Sequence, residues 1–329
     1  MNIDIDSVLI SALEKARLTA WKHFGRSLEF YLPGMFVLDG QTGLYPAVSL
    51  TGKRCQLGCD HCQGQLLTTM IPAVGPETLR SVAKDLKARG RLGMLISGGS
   101  NIFGRLPWES YWDAIETIID QIGLTVTVHA GYLDIFTAKR LRSAGVRQAL
   151  VDIIGDDQTA REVYHLSAGT KPIWETMEAL TAAGLEAVPH IVVGLAYGQI
   201  RGENQALEGL IPYNPKRLVT VVFRPLSGTP MADFKPPQVS DVAWFLVKAR
   251  EMLPETRHHL GCARPRGVYG RQLEALAIQA GINALALPSE DAWAAARNLG
   301  LEPALIPTCC SLAGVETNGG KEPAVAGEQ

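Results

Sequence analysis

The chain has 329 residues, 47% of them apolar, enough for one large core or two ordinary ones. A formal net charge of −2 excludes an electrostatic case for nucleic acid or an anionic membrane surface as partner. No apolar run reaches the ~18 residues of a membrane span, and the acidic start Met1-Asn-Ile-Asp-Ile-Asp6 lacks the basic region of a secretory signal, so a reducing cytoplasm is the expected setting.

In chain order, 6–24 reads as an amphipathic helix and 27–37 as extended chain, making 1–44 an N-terminal segment packed on the main α/β body. The first predicted strand, 45–51, runs directly into Thr51-Gly-Lys-Arg-Cys-Gln-Leu-Gly-Cys-Asp-His-Cys62. A helix over 76–89 leads to a strand over 93–97, which ends on Ser97, Gly98, Gly99 and Ser100. A helix over 108–121 precedes the strand 125–129, closed by His129. A helix over 132–143 precedes the strand 148–154, which carries Asp152. Next come helix 172–183, strand 187–193 and Gly194, then helix 202–210 and strand 218–223, which meets Arg224-Pro225. Helix 240–253, strand 258–262, helix 268–280, strand 284–287 and helix 289–298 complete the series. Gly90, Gly123, Gly145, Gly184, Gly281 and Gly300 stand where helices end. The stretch 313–329, rich in Gly, Ala and Glu and without aromatics, reads as a disordered tail.

Strands alternating with helices argue for βα units on a parallel sheet. Eight such units are the count for a closed TIM-type (β/α)8 barrel over 45–312. The last two units are shorter, so the alternative is an open six-unit barrel with a C-terminal appendage. In such barrels chemistry gathers at the C-terminal ends of strands. That is where the three-cysteine loop, the Gly98-Gly99 turn, His129, Asp152, Gly194 and Cys262 all fall.

Cys55, Cys59 and Cys62, spaced C-x3-C-x2-C, are three thiolates from one loop. Iron–sulfur clusters are held by cysteine thiolates, and a four-iron cubane needs four ligands. Three ligands leave one iron open, which separates a catalytic metal site from a closed structural one. Zinc, with His61 as fourth ligand, is the alternative, but Cys59, His61 and Cys62 lie too close together for a paired zinc knuckle.

On the cysteine loop after strand one, the Gly-Gly turn after strand two and the βα order, the chain resembles the radical S-adenosylmethionine (SAM) superfamily. The resemblance implies a [4Fe-4S] cluster on Cys55, Cys59 and Cys62 whose open iron binds SAM, and cleavage of SAM to a 5′-deoxyadenosyl radical that abstracts hydrogen. It implies SAM contacts from Ser97, Gly98, Gly99, Ser100, His129, Asp152, Arg161 and Gly194. Two positions depart from the pattern: His61 replaces the usual aromatic before the last cysteine, and Ser100 replaces the acid of a Gly-Gly-Glu turn.

The other cysteines, Cys262, Cys309 and Cys310, lie outside predicted helices and are candidate ligands of a second cluster, with Arg264 and Arg266 as candidate carboxylate clamps. The stretches 261–288, Arg224-Pro-Leu-Ser-Gly-Thr-Pro230 and 151–165 are similar to the biotin synthase subgroup and, more closely, to two-component lipoyl synthases. That resemblance implies sulfur insertion at C6 or C8 of a protein-bound octanoyl chain. The implied partners are an octanoylated lipoyl-carrier protein, a second radical SAM protein and an electron donor such as ferredoxin or flavodoxin. The competing readings are a biotin synthase- or hydrogenase maturase-like enzyme acting on a free small molecule, and an iron–sulfur carrier or scaffold without SAM chemistry.

Overall fold

The computed structural model describes residues 6–38 and 40–312; the tail expected over 313–329 lies outside them. The described residues form two compact units. One gathers 32–151, 171–187 and the chain from 306; the other gathers 6–31, 152–170 and 188–305. The expected 1–44 segment is therefore divided: its helix belongs to one unit and residues 32–44 to the other.

In the unit that carries the cysteine loop, strands Ala47–Ser49, Gly93–Ser97, Thr125–His129 and Gln148–Asp152 lie side by side in that order, with Ile71–Pro72 outside Ala47–Ser49. All pairs are parallel, with Ser49 opposite Ser97, Ile96 opposite Val128 and His129 opposite Leu150. Val48, Ile96, Met94, Val126, Val128 and Ala149 are fully buried, as expected of parallel strands covered on both faces. Helices Pro76–Ala88, Ile135–Ser143 and Lys171–Ala183 match the predicted bounds closely. The helix expected over 108–121 is instead a 3₁₀ turn, Trp108–Ser110, then the α-helix Trp112–Thr117 and a π-helical turn, Ile118–Ile122. Two buried aromatics explain its broken start. Trp108 donates from Nε1 to the Ala130 carbonyl at 3.0 Å, while the Tyr111 hydroxyl donates to Leu50 O at 2.9 Å and accepts from Gly75 N at 2.8 Å. Holding both rings on strand-end loops leaves Tyr111 outside helical geometry, at φ −121°.

The other unit is also a parallel sheet: Glu186–Val193, Arg217–Val222, Arg257–Leu260, Ala284–Ala286 and Glu29–Tyr31 in order. The N-terminal extended segment is thus a strand in the sheet, with Glu29, Phe30 and Tyr31 opposite Ala284, Leu285 and Ala286. Helix Ser7–Phe24 packs on Val239–Met252 and Gly267–Gln279. Gly281, at φ +75°, lets this happen, because a Cβ there would stand 2.6 Å from Arg17 Cα. Buried Arg250 donates to the carbonyls of Pro254, Thr256 and Gly281 and to Asn283 Oδ1, tying helix, loop and strand together.

All eight predicted strands are present among the described residues. Their pairings make a parallel α/β fold; they do not by themselves make the closed eight-stranded barrel of the sequence expectation.

Candidate active site

The loop after Ala47–Ser49 is shaped by short-range hydrogen bonds. Ser49 Oγ donates to Gly52 O at 2.7 Å, and Arg54 N to Thr51 O at 3.2 Å. The amides of Cys62 and Gln63 both donate to Cys59 O, at 3.1 and 2.9 Å. Gln63, at φ +46°, donates from its side chain to Gly58 O at 2.6 Å. The coil brings the last two thiols together: Cys59 is buried and Cys62 half-buried. A hydrogen bond with Cys59, aided by His61, pulls the Cys62 thiol down to about 4 against its partial burial. It therefore stands as the thiolate, the metal-ligating form.

The Gly-Gly turn fits against this loop. Gly99 N donates to Thr51 Oγ1 at 2.7 Å, and Gln56 N to Ser100 O at 2.8 Å. A Cβ on Gly99 would overlap the Arg54 carbonyl and stand 2.6 Å from both Cys55 Cα and Cβ. The second glycine is therefore what lets the first cysteine settle on the end of the neighbouring strand. Gly98 is roomier, its nearest neighbour being Thr51 Oγ1 at 3.3 Å. Ser97 is buried and its carbonyl accepts Leu50 N at 2.8 Å; Ser100 is half-buried. His129 is half-buried, one residue beyond the Ile96–Val128 pair, and so level with Ser97 on the adjacent strand.

Among the described residues, no three His, Cys, Asp or Glu converge as a single metal ion requires. A cubane makes a different demand, since its thiolates hold separate irons at separate corners. Three thiols on one coiled loop, one of them already a thiolate, fit that group.

The same unit holds Cys309 and Cys310. Leu32 N donates to Ile306 O at 2.8 Å and Leu44 N to Pro307 O at 2.5 Å, which straps the chain end alongside residues 32–44. Hydrogen bonds with Cys310 and then Ser311, whose Oγ lies 3.2 Å from Cys309 Sγ, bring the Cys309 thiol down to about 6, with help from the charge of His129. Sequence spacing gave no sign that Cys309 and His129 come within electrostatic reach.

The remaining predicted residues lie in the other unit. Asp152 accepts the Tyr164 hydroxyl at 3.2 Å. Arg161 is on an exposed helix face, pairs with Asp157 at 2.9 Å and donates to Ser167 O. Gly194, at φ +83°, is covered by Pro237, whose Cδ would stand 2.5 Å from a Cβ there. Sequence reasoning missed Glu203, whose buried carboxylate accepts the amides of Gly194 and Arg201, both at 2.7 Å. Burial raises its pKa against these bonds, and the Gly202-Glu203 pair was the only signal. Cys262 is half-buried in this unit, its carbonyl accepting Arg266 at 3.0 Å. Arg264 differs from the expected carboxylate clamp: it is fully buried, paired with Glu274 at 2.6 Å and bonded to the carbonyls of Gly261 and Leu287, which makes it a structural cation of the core.

Residues 49–203 match the family model of the radical SAM superfamily. Over that segment the chain is similar to radical SAM proteins. The match runs from the end of the first predicted strand through Glu203, so it spans the three cysteines, the Gly-Gly turn and His129. No curated protein matches the sequence. Among solved structures, the chain is similar in fold to the methylornithine synthase PylB, with a TM-score of 0.62 at 15% identity over 92% of this chain and 91% of that one. It is also similar to HydG, a maturase of the [FeFe]-hydrogenase, with a TM-score of 0.66 at 16% identity over 97% and 73%. Streptococcus suis SuiB bound to S-adenosylmethionine gives 0.52 at 12% identity over 85% and 63%. At these identities the likeness speaks for the fold. Among the described residues, no helix is long and apolar enough to cross a membrane.

Proposed function

We propose that this radical SAM chain holds a four-iron cluster on Cys55, Cys59 and Cys62, binds SAM beside Ser97, Gly98, Gly99, Ser100 and His129, and opens a C–H bond of its substrate. The observation that carries the reading is the three-thiol loop settled on Gly99. When bound, cluster and SAM supply a one-electron cleavage that yields a 5′-deoxyadenosyl radical able to take hydrogen from an unactivated carbon. The chain supplies position and exclusion of water. Cys62 is pre-set toward the ligating thiolate form by its hydrogen bond with Cys59, and Gly99 fixes the height of Cys55 against the strand end. Ser97 and His129, level on adjacent strands, and Thr51, bonded to Gly99, are polar groups at that end.

Within this chemistry the specific reading is sulfur insertion at C6 or C8 of a protein-bound octanoyl chain, with the second set of cysteines serving the sulfur source. It is supported by the sequence stretches similar to two-component lipoyl synthases and by the hydrogen bonds with Cys310 and Ser311 that lower the Cys309 pKa toward the thiolate. The test is anaerobic reaction of the reconstituted protein with SAM, reductant and an octanoylated carrier domain. Formation of 5′-deoxyadenosine supports the radical chemistry, and a mass gain of one or two sulfurs on the carrier supports the substrate. 5′-Deoxyadenosine with an unchanged carrier would move the assignment to a free small molecule. An intact, reduced cluster without 5′-deoxyadenosine would leave an electron carrier or scaffold.

A further inference from the structure

The unit without the cysteine loop carries a groove that the proposed chemistry does not use. It runs along helix Val239–Met252, beside the turn that follows strand Glu186–Val193. The inner face of that helix is spent on the core, with Val242, Phe245, Leu246 and Ala249 buried. Its outer face is a stripe of exposed residues: Gln238 at the N-cap, Asp241, Trp244, Lys248 and Glu251. Steps of three and four residues place them one above another along the helix. Trp244 is 39% exposed, and with Gly198, Ile200 and Pro237 it lines a groove of about 530 Å³. The facing turn is stiff. Ala196 and Gln199 form an antiparallel bridge, and a Cβ on Gly198, at φ +84°, would overlap the Lys235 carbonyl. Phe234, next to Lys235, packs on the Tyr197 ring at 5.0 Å. A half-exposed indole beside a stiff apolar groove marks an interaction site.

Charge says which partner fits. Among the described residues, neither Asp241 nor Lys248 makes an ion pair. The acid stands three residues before Trp244 and the base four residues after it, so the stripe is complementary to its own reverse. Laid antiparallel on a second copy, about a two-fold axis beside Trp244, each Asp241 faces the other copy's Lys248. Gln238 then faces Glu251, and the two indoles meet between the charge pairs. A two-fold interface demands this self-complementarity, because one patch must serve as both partners. A stripe of a single charge sign would repel its own copy. We propose that this face of helix Val239–Met252 is the interface of a homodimer, with each Trp244 seated in the groove of the opposite copy. The proposal is independent of the radical SAM reading.

The experiment uses the full chain with no ligand added. Association is measured by sedimentation across a concentration series at low and high salt, and the contact by hydrogen exchange at the two ends of that series. The expected result is a monomer–dimer equilibrium that weakens with salt and concentration-dependent protection over 198–204 and 238–251. Trp244→Ser should weaken association about tenfold, equivalent to about 1.4 kcal/mol. Asp241→Lys alone and Lys248→Asp alone each set two like-charge contacts across the axis and should weaken it to a similar degree. Both reversals in one chain should restore the dimer, and mixing the two single variants should restore a mixed pair. Such recovery separates a lost contact from a damaged fold. A chain that stays monomeric throughout the series overturns the proposal, as does a dimer that survives Trp244→Ser and both single reversals. A double reversal no tighter than the singles overturns the antiparallel pairing. Protection of 238–251 only on adding an octanoylated carrier domain, to a chain that remains monomeric, gives the groove to that partner and overturns it too.

Discussion

Gly98 and Gly99 are neighbours with unequal freedom, and the difference can be measured. Gly99→Ala forces a Cβ into the Arg54 carbonyl and against Cys55. Backbone must shift, at a cost of about 1–3 kcal/mol, and the first cysteine moves with it. The expected outcome is poor iron retention and loss of most SAM cleavage. Gly98→Ala meets only Thr51 at 3.3 Å and should keep both within a few-fold. Alanine at Cys55, Cys59 or Cys62 should each reduce 5′-deoxyadenosine to background, read by iron content and chromatography. The cysteine loop and the turn were legible in the sequence because spacing alone carries their chemistry. Arg264 was not: nothing local says that a lone arginine after a strand will find Glu274 ten residues on, inside the core. Nor does any local signal name the neighbours that Arg161 and Gly194 meet in space, Asp157 and Pro237.

Elements in the unit without the cysteine loop are held by buried charge, whose arrangement supports two predictions. Arg264 and Glu274 are 0% and 2% exposed, and Glu274 also accepts the amide and hydroxyl of Ser289. Glu274→Gln leaves an uncompensated buried cation and should lower stability by about 3–5 kcal/mol, measured by denaturant melting. His258 is buried on strand Arg257–Leu260 and bonded to Leu253 O at 3.1 Å. Burial first, then the nearby charges of Arg250 and His259, hold its pKa well below 6.5. Its contribution is fully present above about pH 6.5 and is lost as the pH falls toward the folded-state value, because the unfolded chain takes the proton more readily. Between those two values stability should fall by about 1.4 kcal/mol per pH unit of acidification for this one group, and His258→Asn should flatten the slope. Strand and helix positions were legible because their apolar runs and closing glycines are local signals. The break at Trp108–Ser110 was not, because it is imposed by where two aromatic side chains find hydrogen-bond partners.

At the scale of the molecule, parallel α/β character could be read from alternation, whereas the strand status of 29–31 could not. Three residues carry no periodicity, and their partner lies at the far end of the sequence. The second cluster is tested at this scale. The triple variant with alanine at Cys55, Cys59 and Cys62 should keep about four iron per chain after anaerobic reconstitution if Cys262, Cys309 and Cys310 serve a cluster, and loss of all iron would remove the sulfur-donor reading. The pairing of Glu29–Tyr31 with Ala284–Ala286 has a consequence for biogenesis. At about 5–20 residues per second on the ribosome, that strand and the amphipathic helix before it wait roughly 13 to 50 s for their mates to be made. The sheet they complete is therefore sealed only after residue 286 is made, and the segment 7–31 is where a chaperone would be needed first.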